Sequence, residues 1–138
     1  PMYRRQRQMC IRDSDSTLLK ELLDQIDFLS YPRADDLSVY INLIEKNEKA
    51  LNKKTPEDIL CTFIELTVKK IEEYFIFCGA PAQVIFHGGG IENKYLMGRI
   101  KETIKTEITT IDKFIPSKYV EAAAFAYLAF KERAVLFK

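Results

Sequence analysis

Gly88-Gly89-Gly90 is the part of this sequence best placed to do chemistry. It follows Gln83-Val84-Ile85-Phe86-His87, a short apolar run, and leads into a segment of helical spacing. Consecutive glycines cost backbone entropy on folding, so they need a reason. One reason is conformational: a tight strand-to-helix turn that requires positive φ. The other is a ligand. A strand ending in glycines and running into a helix N-terminus offers backbone N–H groups at the positive end of the helix dipole, and no side chain blocks a flat ring or a phosphate. The string is not a Walker loop, because no Gly-Lys-Ser/Thr follows. Nor is it a clean dinucleotide fingerprint, because Asn93 stands where the last glycine is required. Asn93 either contacts a ligand or ties down the helix start. His87, the sole histidine, reads as a space-filling strand-end residue. Glu121 is the one acid at the start of an alanine-rich helix, where the dipole alone would favour it.

Composition removes several alternatives. The 138 residues carry a net charge of +1, which gives no electrostatic case for nucleic acid or an acidic membrane surface. With 47% hydrophobic and 30% charged residues, a packed core is expected. No apolar run approaches the roughly 20 residues that span a bilayer, and the basic N-terminus lacks the apolar core of a secretory signal. Cys10, Cys61 and Cys78 have no metal-ligand spacing, and a single histidine excludes a histidine-built zinc site, so no metal site is expected in the protein itself. The cysteines read as reduced thiols of a cytoplasmic protein, two of them in a core.

The elements that must position the glycines follow from spacing. Ser16 can cap a helix running to about Phe28, with Leu18, Leu19, Leu22, Leu23 and Ile26 on its apolar side. Tyr31-Pro32 ends it. Leu37 to Ile44 suggests another short helix, and Glu45 to Lys54 a solvated connection. Thr55-Pro56-Glu57-Asp58 is a strong helix start: a capping threonine, proline at the first position, then acids. That helix should stop near Cys78, before Gly79-Ala80-Pro81, with Leu60, Phe63, Ile64, Thr67, Ile71, Tyr74 and Phe75 inward and Glu65, Lys69, Glu72 and Glu73 outward. Tyr74, Phe75 and Phe77 read as core. A buried strand at Gln83–His87, a helix from about Glu92 to Lys105 with Leu96, Met97, Ile100 and Ile104 inward, and a strand from Glu107 to Ile111 come next. Pro116-Ser117 opens a last helix, from about Lys118 to Glu132, apolar nearly all round and expected to be buried. Two strands joined through a helix make a parallel crossover, so the fold class is α/β, with helices packed on a short parallel sheet.

Met2 to Ser14 stands apart. It has no apolar period, and Met9 to Ser14 resembles translated transposon-end adapter DNA. Residues 1–14 are therefore expected to be a non-native leader, dispensable for stability, although a basic arm that binds phosphates is the alternative. Residues 15–54 read as a helical connecting segment and 55–138 as the ligand-binding lobe.

The longer string around the glycines is more specific. Gly88, Gly89, Gly90, Asn93, Leu96, Met97 and Arg99 resemble the nucleotide loop of the anhydro-N-acetylmuramic acid kinase family. Glu121-Ala122, then Ala124-Phe125-Ala126, then Leu128-Ala129 resemble that family's terminal helix. Thr62, Glu65, Leu66 and Thr67 match a third, softer pattern. The resemblance implies a C-terminal fragment of a ribonuclease-H-like lobe in the sugar-kinase, actin and heat-shock ATPase superfamily. It implies ATP, with Mg2+, as cofactor, Gly88, Gly89, Gly90 and Asn93 at the nucleotide, and Glu121 hydrogen-bonded to sugar hydroxyls. The catalytic aspartate and the phosphate-gripping segment would lie in an upstream lobe of the same polypeptide, which is the expected partner. The implied reaction phosphorylates an anhydro amino sugar and hydrolyses its internal bridge, in peptidoglycan recycling. This chain alone is then expected to be inactive, and a homodimer is left open. Tyr31 to Asp36 and His87 depart from the family pattern, which puts the sugar in doubt more than the fold. Two other classes remain: a non-catalytic α/β interaction module whose glycines serve the turn alone, and half of a dinucleotide-dependent oxidoreductase with Asp112 as its ribose-binding acid.

Overall fold

The computed structural model describes residues 14–26, 31 and 37–131. The expected leader lies almost wholly outside them, as do Cys10 and Glu132. Helix α1 is Ser16–Ile26 and buries Leu18, Leu22 and Ile26, a stripe with one residue per turn. Its cap is Asp15 rather than Ser16. The Asp15 carboxylate accepts from the Thr17 and Leu18 amides at 3.1 and 3.0 Å and also pairs with Lys54, while the Asp15 amide donates to Thr62 Oγ1. A carboxylate both caps and carries charge complementary to the dipole, which a serine hydroxyl does not.

The Leu18 amide, ahead of the Lys54 ammonium, holds the Asp15 carboxyl below its ordinary value of 3.8. A lowered folded value stabilises the fold fully above the ordinary carboxylate range, and the contribution is lost as pH falls through the lowered value. The urea midpoint is therefore expected to decline below about pH 4. Asp15→Asn keeps an amide cap and should remove this share of the slope; an unchanged acid profile in the variant would refute the assignment.

Helix α2, Leu37–Lys46, and the short α3, Glu48–Leu51, cover α1. The stretch expected to be solvated is thus partly folded inward: Leu51 is buried, and so is Asn47. Asn47 is tolerated there because its amide exchanges hydrogen bonds with Gln25 and donates to the Leu43 carbonyl. Helix α4, Pro56–Phe77, starts as its sequence requires, with Thr55 Oγ1 accepting from the Asp58 amide at 3.2 Å. It ends with Cys78, then Gly79 at φ +80, and the Ala80 amide returns to the Phe75 carbonyl. That pairing is the glycine-terminated helix end expected from Gly79.

Two cores share α4 as their spine. Leu18, Leu22, Ile26, Leu43, Leu51 and Leu66 form the first. Val68, Ile100 and Ile104 form the second, with Ile71, Val84, Leu96, Met97 and Ile108 against them. Because α4 packs against different neighbours along its length, its buried face is Cys61, Thr62, Glu65, Leu66 and Val68 rather than the expected stripe. Leu60 and Thr67 are exposed, and Glu65, expected outward, is 7% exposed. Cys61 is buried and Cys78 exposed.

Strand β1, Gln83–Phe86, pairs in parallel with β2, Glu107–Thr110, in the register Gln83 to Glu107. The crossover between them is helix α5, Lys94–Thr103. This is the expected α/β arrangement. β1 is half-buried instead of buried: Val84 and Phe86 face the second core, and Ile85 is exposed. Helix α6, Val120–Phe130, differs most from expectation. Residues 121–130 are all exposed, with Phe125 at 72% and Phe130 at 79%. Among the described residues its one extensive contact is with the 3-10 turn Ser117–Tyr119 that precedes it. Tyr74 and Phe77, expected in the core, are exposed as well; Phe77 stacks on Tyr31 and Tyr74 meets it at a tilt. No helix among the described residues is long and apolar enough to cross a membrane.

Candidate functional site

The glycines sit at the carboxyl end of β1, the end at which open α/β sheets bind ligands. They do not share one conformation. Gly88 has φ +89 and ψ 175, a region essentially closed to residues with a Cβ. Gly89 and Gly90 have no positive φ. A Cβ built on Gly89 meets nothing within 4 Å, and one on Gly90 meets only Leu96 Cδ2 at an ordinary 3.8 Å. The turn therefore demands glycine at 88 alone. What the chain's own backbone and packing leave unexplained is the absence of side chains at 89 and 90.

The loop does not run straight into an α-helix. Gly89–Glu92 forms a 3-10 turn, closed by Ile91 and Asn93 amides bonded to the Gly88 and Gly90 carbonyls. Asn93 then caps α5: its Oδ1 accepts from the Tyr95 and Leu96 amides, both at 3.1 Å. The expectation of open amides at the helix N-terminus needs correcting on this point. Two donors that could have met a phosphate are held by Asn93, because an asparagine at this position outcompetes solvent for them. A flat ring lying against bare glycine backbone suits the loop better than an anion at the helix end.

His87 is exposed and fills no core space. Glu121 is exposed in the first turn of α6 and has no hydrogen-bond or ion-pair partner among the described residues. The α6 cap residue, Tyr119, makes no side-chain cap bond, so an acid there has a dipole to compensate. Among the described residues, α6 makes no extensive packing contact with the 3-10 turn Gly89–Glu92 that would bring Glu121 to the glycines. The four loop residues are assembled by local structure, and Glu121 stands apart from them.

Two concavities flank the fold. The larger, about 780 Å³, is an apolar groove between α4 and β1, lined by Leu66, Ile71, Tyr74, Val84 and Phe86 among others, and does not include the glycines. The smaller, about 290 Å³, lies beside the loop at Ile91 and takes in Lys101, Thr109, Thr110 and Lys113. Sequence reading missed this second concavity, because its residues come from α5, β2 and the turn after β2 and share no local pattern. No group of three or more His, Cys, Asp or Glu among the described residues could hold a metal ion.

An α/β chain with a glycine loop at a strand end defines a broad class of ligand-binding folds; comparison with known proteins narrows it to one family. The family model described as anhydro-N-acetylmuramic acid kinase matches residues 14–136. The anhydro-N-acetylmuramic acid kinase of Pseudomonas savastanoi pv. phaseolicola is 35% identical over 120 residues, covering 83% of this chain and 33% of that protein. The kinase of the same name from Pasteurella multocida is 34% identical over 125 residues, covering 85% and 33%. That from Actinobacillus pleuropneumoniae serotype 5b is 32% identical over 120 residues, covering 83% and 32%. The chain belongs to the anhydro-N-acetylmuramic acid kinase family. It spans about a third of the length of the curated relatives it matches.

Proposed function

We propose that this chain is the C-terminal, nucleotide-binding part of an ATP-dependent kinase that phosphorylates an anhydro amino sugar and hydrolyses its internal bridge, in peptidoglycan recycling. The observation that carries the reading is the pair Gly89 and Gly90. Their bareness is not required by backbone conformation or by the chain's own packing, and a nucleotide base or ribose lying on them supplies the missing reason. ATP brings the phosphoryl group and, through its phosphates, the Mg2+. This chain's share is to hold the adenosine end: Gly88 sets the turn, Gly89 and Gly90 give the close approach, and Asn93 fixes the start of α5. The aspartate that activates water belongs to polypeptide upstream of the matched third. The exposed apolar α6 supports the same reading, since a helix of alanines and aromatics is solvent-stable only when something covers it.

Incubation with γ-labelled ATP and an anhydro amino sugar tests this. The family-length polypeptide should transfer the label, and the 138-residue chain alone should transfer none, because phosphoryl transfer depends on positioning and charge stabilisation around the phosphates. Turnover by this chain alone would overturn the division of labour. Binding of NAD in place of ATP would indicate the oxidoreductase half, and binding of neither the turn-only module.

A further inference from the structure

Arg99 joins α5 to α4 through Glu65, and the pair is unusually complete. Arg99 Nε reaches Glu65 Oε1 at 2.6 Å, and a terminal guanidinium nitrogen reaches Oε2 at 3.0 Å. The remaining terminal nitrogen bonds Glu102. Every nitrogen of the guanidinium is engaged, and both carboxylate oxygens of Glu65 are taken. The Glu65 side chain is only 10% exposed, against 35% for Arg99.

An ion pair of this kind is weak evidence for stability, because desolvation offsets much of the attraction; its best-attested use is to fix register. Register is what this interface lacks otherwise. Val68, Ile100 and Ile104 make the α4–α5 contact, and aliphatic side chains repack readily when a helix slides or rotates. A side-on, two-bond Arg–carboxylate pair does not tolerate that displacement. The consequence reaches the glycines. Asn93 is bonded to the first turn of α5, and Gly90 is bonded to Asn93, so the loop moves with the helix.

We infer that Glu65, acting through Arg99, is a positioning residue for the nucleotide loop: it sets the register of α5 on α4 and so the placement of Gly88–Gly90. This rests on the nucleotide reading for its purpose, but its physical content is testable without nucleotide.

Amide hydrogen exchange of the 138-residue chain, resolved by residue, is compared for wild type, Glu65→Gln, Arg99→Lys and a control, Glu72→Gln, which breaks only the exposed Lys69–Glu72 pair. The expected result is faster exchange, at least about tenfold, at residues 88–96 in Glu65→Gln and Arg99→Lys, with β2 amides and the control unchanged. Arg99→Lys retains charge without the fork, so it decides the matter if Glu65→Gln does not fold. An increase spread evenly over α4, α5 and β2 would mean a purely structural pair and would overturn the inference, as would no change at all. An ADP titration of the same proteins separates the two levels. Absence of binding to wild type defeats the nucleotide reading and leaves the exchange result standing, whereas weaker binding to Glu65→Gln, by about tenfold, supports both.

Discussion

Gly89→Val in the family-length kinase is expected to lower ATP affinity at least about tenfold, roughly 1.4 kcal/mol, while the fold survives. The argument has two halves. A branched side chain at 89 would occupy the space in which a base or ribose is proposed to lie. The same side chain meets nothing of the protein itself, since a Cβ there has no neighbour within 4 Å and the backbone is not at positive φ. Gly88 supplies the contrast. There φ is +89, so even alanine is strained, and such strain costs about 1–3 kcal/mol. Gly88→Ala should therefore lose stability, and Gly89→Val should lose affinity. Isothermal titration with ATP and a urea melt on both variants separate the effects. A folded Gly89→Val protein with undiminished ATP affinity would return the glycines to a role in the turn alone.

Glu121→Gln in the family-length kinase should cut sugar turnover by about tenfold or more while ATP affinity and melting temperature stay near wild type. The substitution keeps shape and removes charge, and a charge-assisted hydrogen bond to a hydroxyl is worth about 1.5–3 kcal/mol. The competing account has a definite basis in the structure: α6 lacks a side-chain cap, and Glu121 lies in its first turn. If compensation of the helix dipole is its whole role, the variant loses about 0.3–1 kcal/mol of stability and keeps its kinetics. Measuring turnover and melting on one protein chooses between the two. A stable, fully active variant would remove Glu121 from the site.

Local signals were legible in the sequence. Thr55-Pro56 fixed the start of α4, Gly79 its end, and the glycines the end of β1, because caps and turns are set by a few adjacent residues. The parallel crossover followed from strand, helix and strand in order. Family membership was legible in the strings around Gly88 and Glu121, and the match over residues 14–136 bears it out.

The tertiary structure decided what depends on neighbours distant in sequence. Glu65 looked like a surface acid on a helix period and is buried, because Arg99, thirty-four positions later, pairs with it. Asp15 took the cap that Ser16 could have held, because Lys54 and Thr62 converge on it. Asn93, open in the sequence between ligand and helix, caps α5 by accepting two amides at Oδ1. Gly88 and Gly89, identical in sequence, were separated only by φ. Residue type determined that α6 is apolar; whether an apolar helix is buried depends on what lies against it, and residues 121–130 are exposed here. Hydrophobicity sets the drive to be covered, while the covering surface comes from elsewhere in the polypeptide.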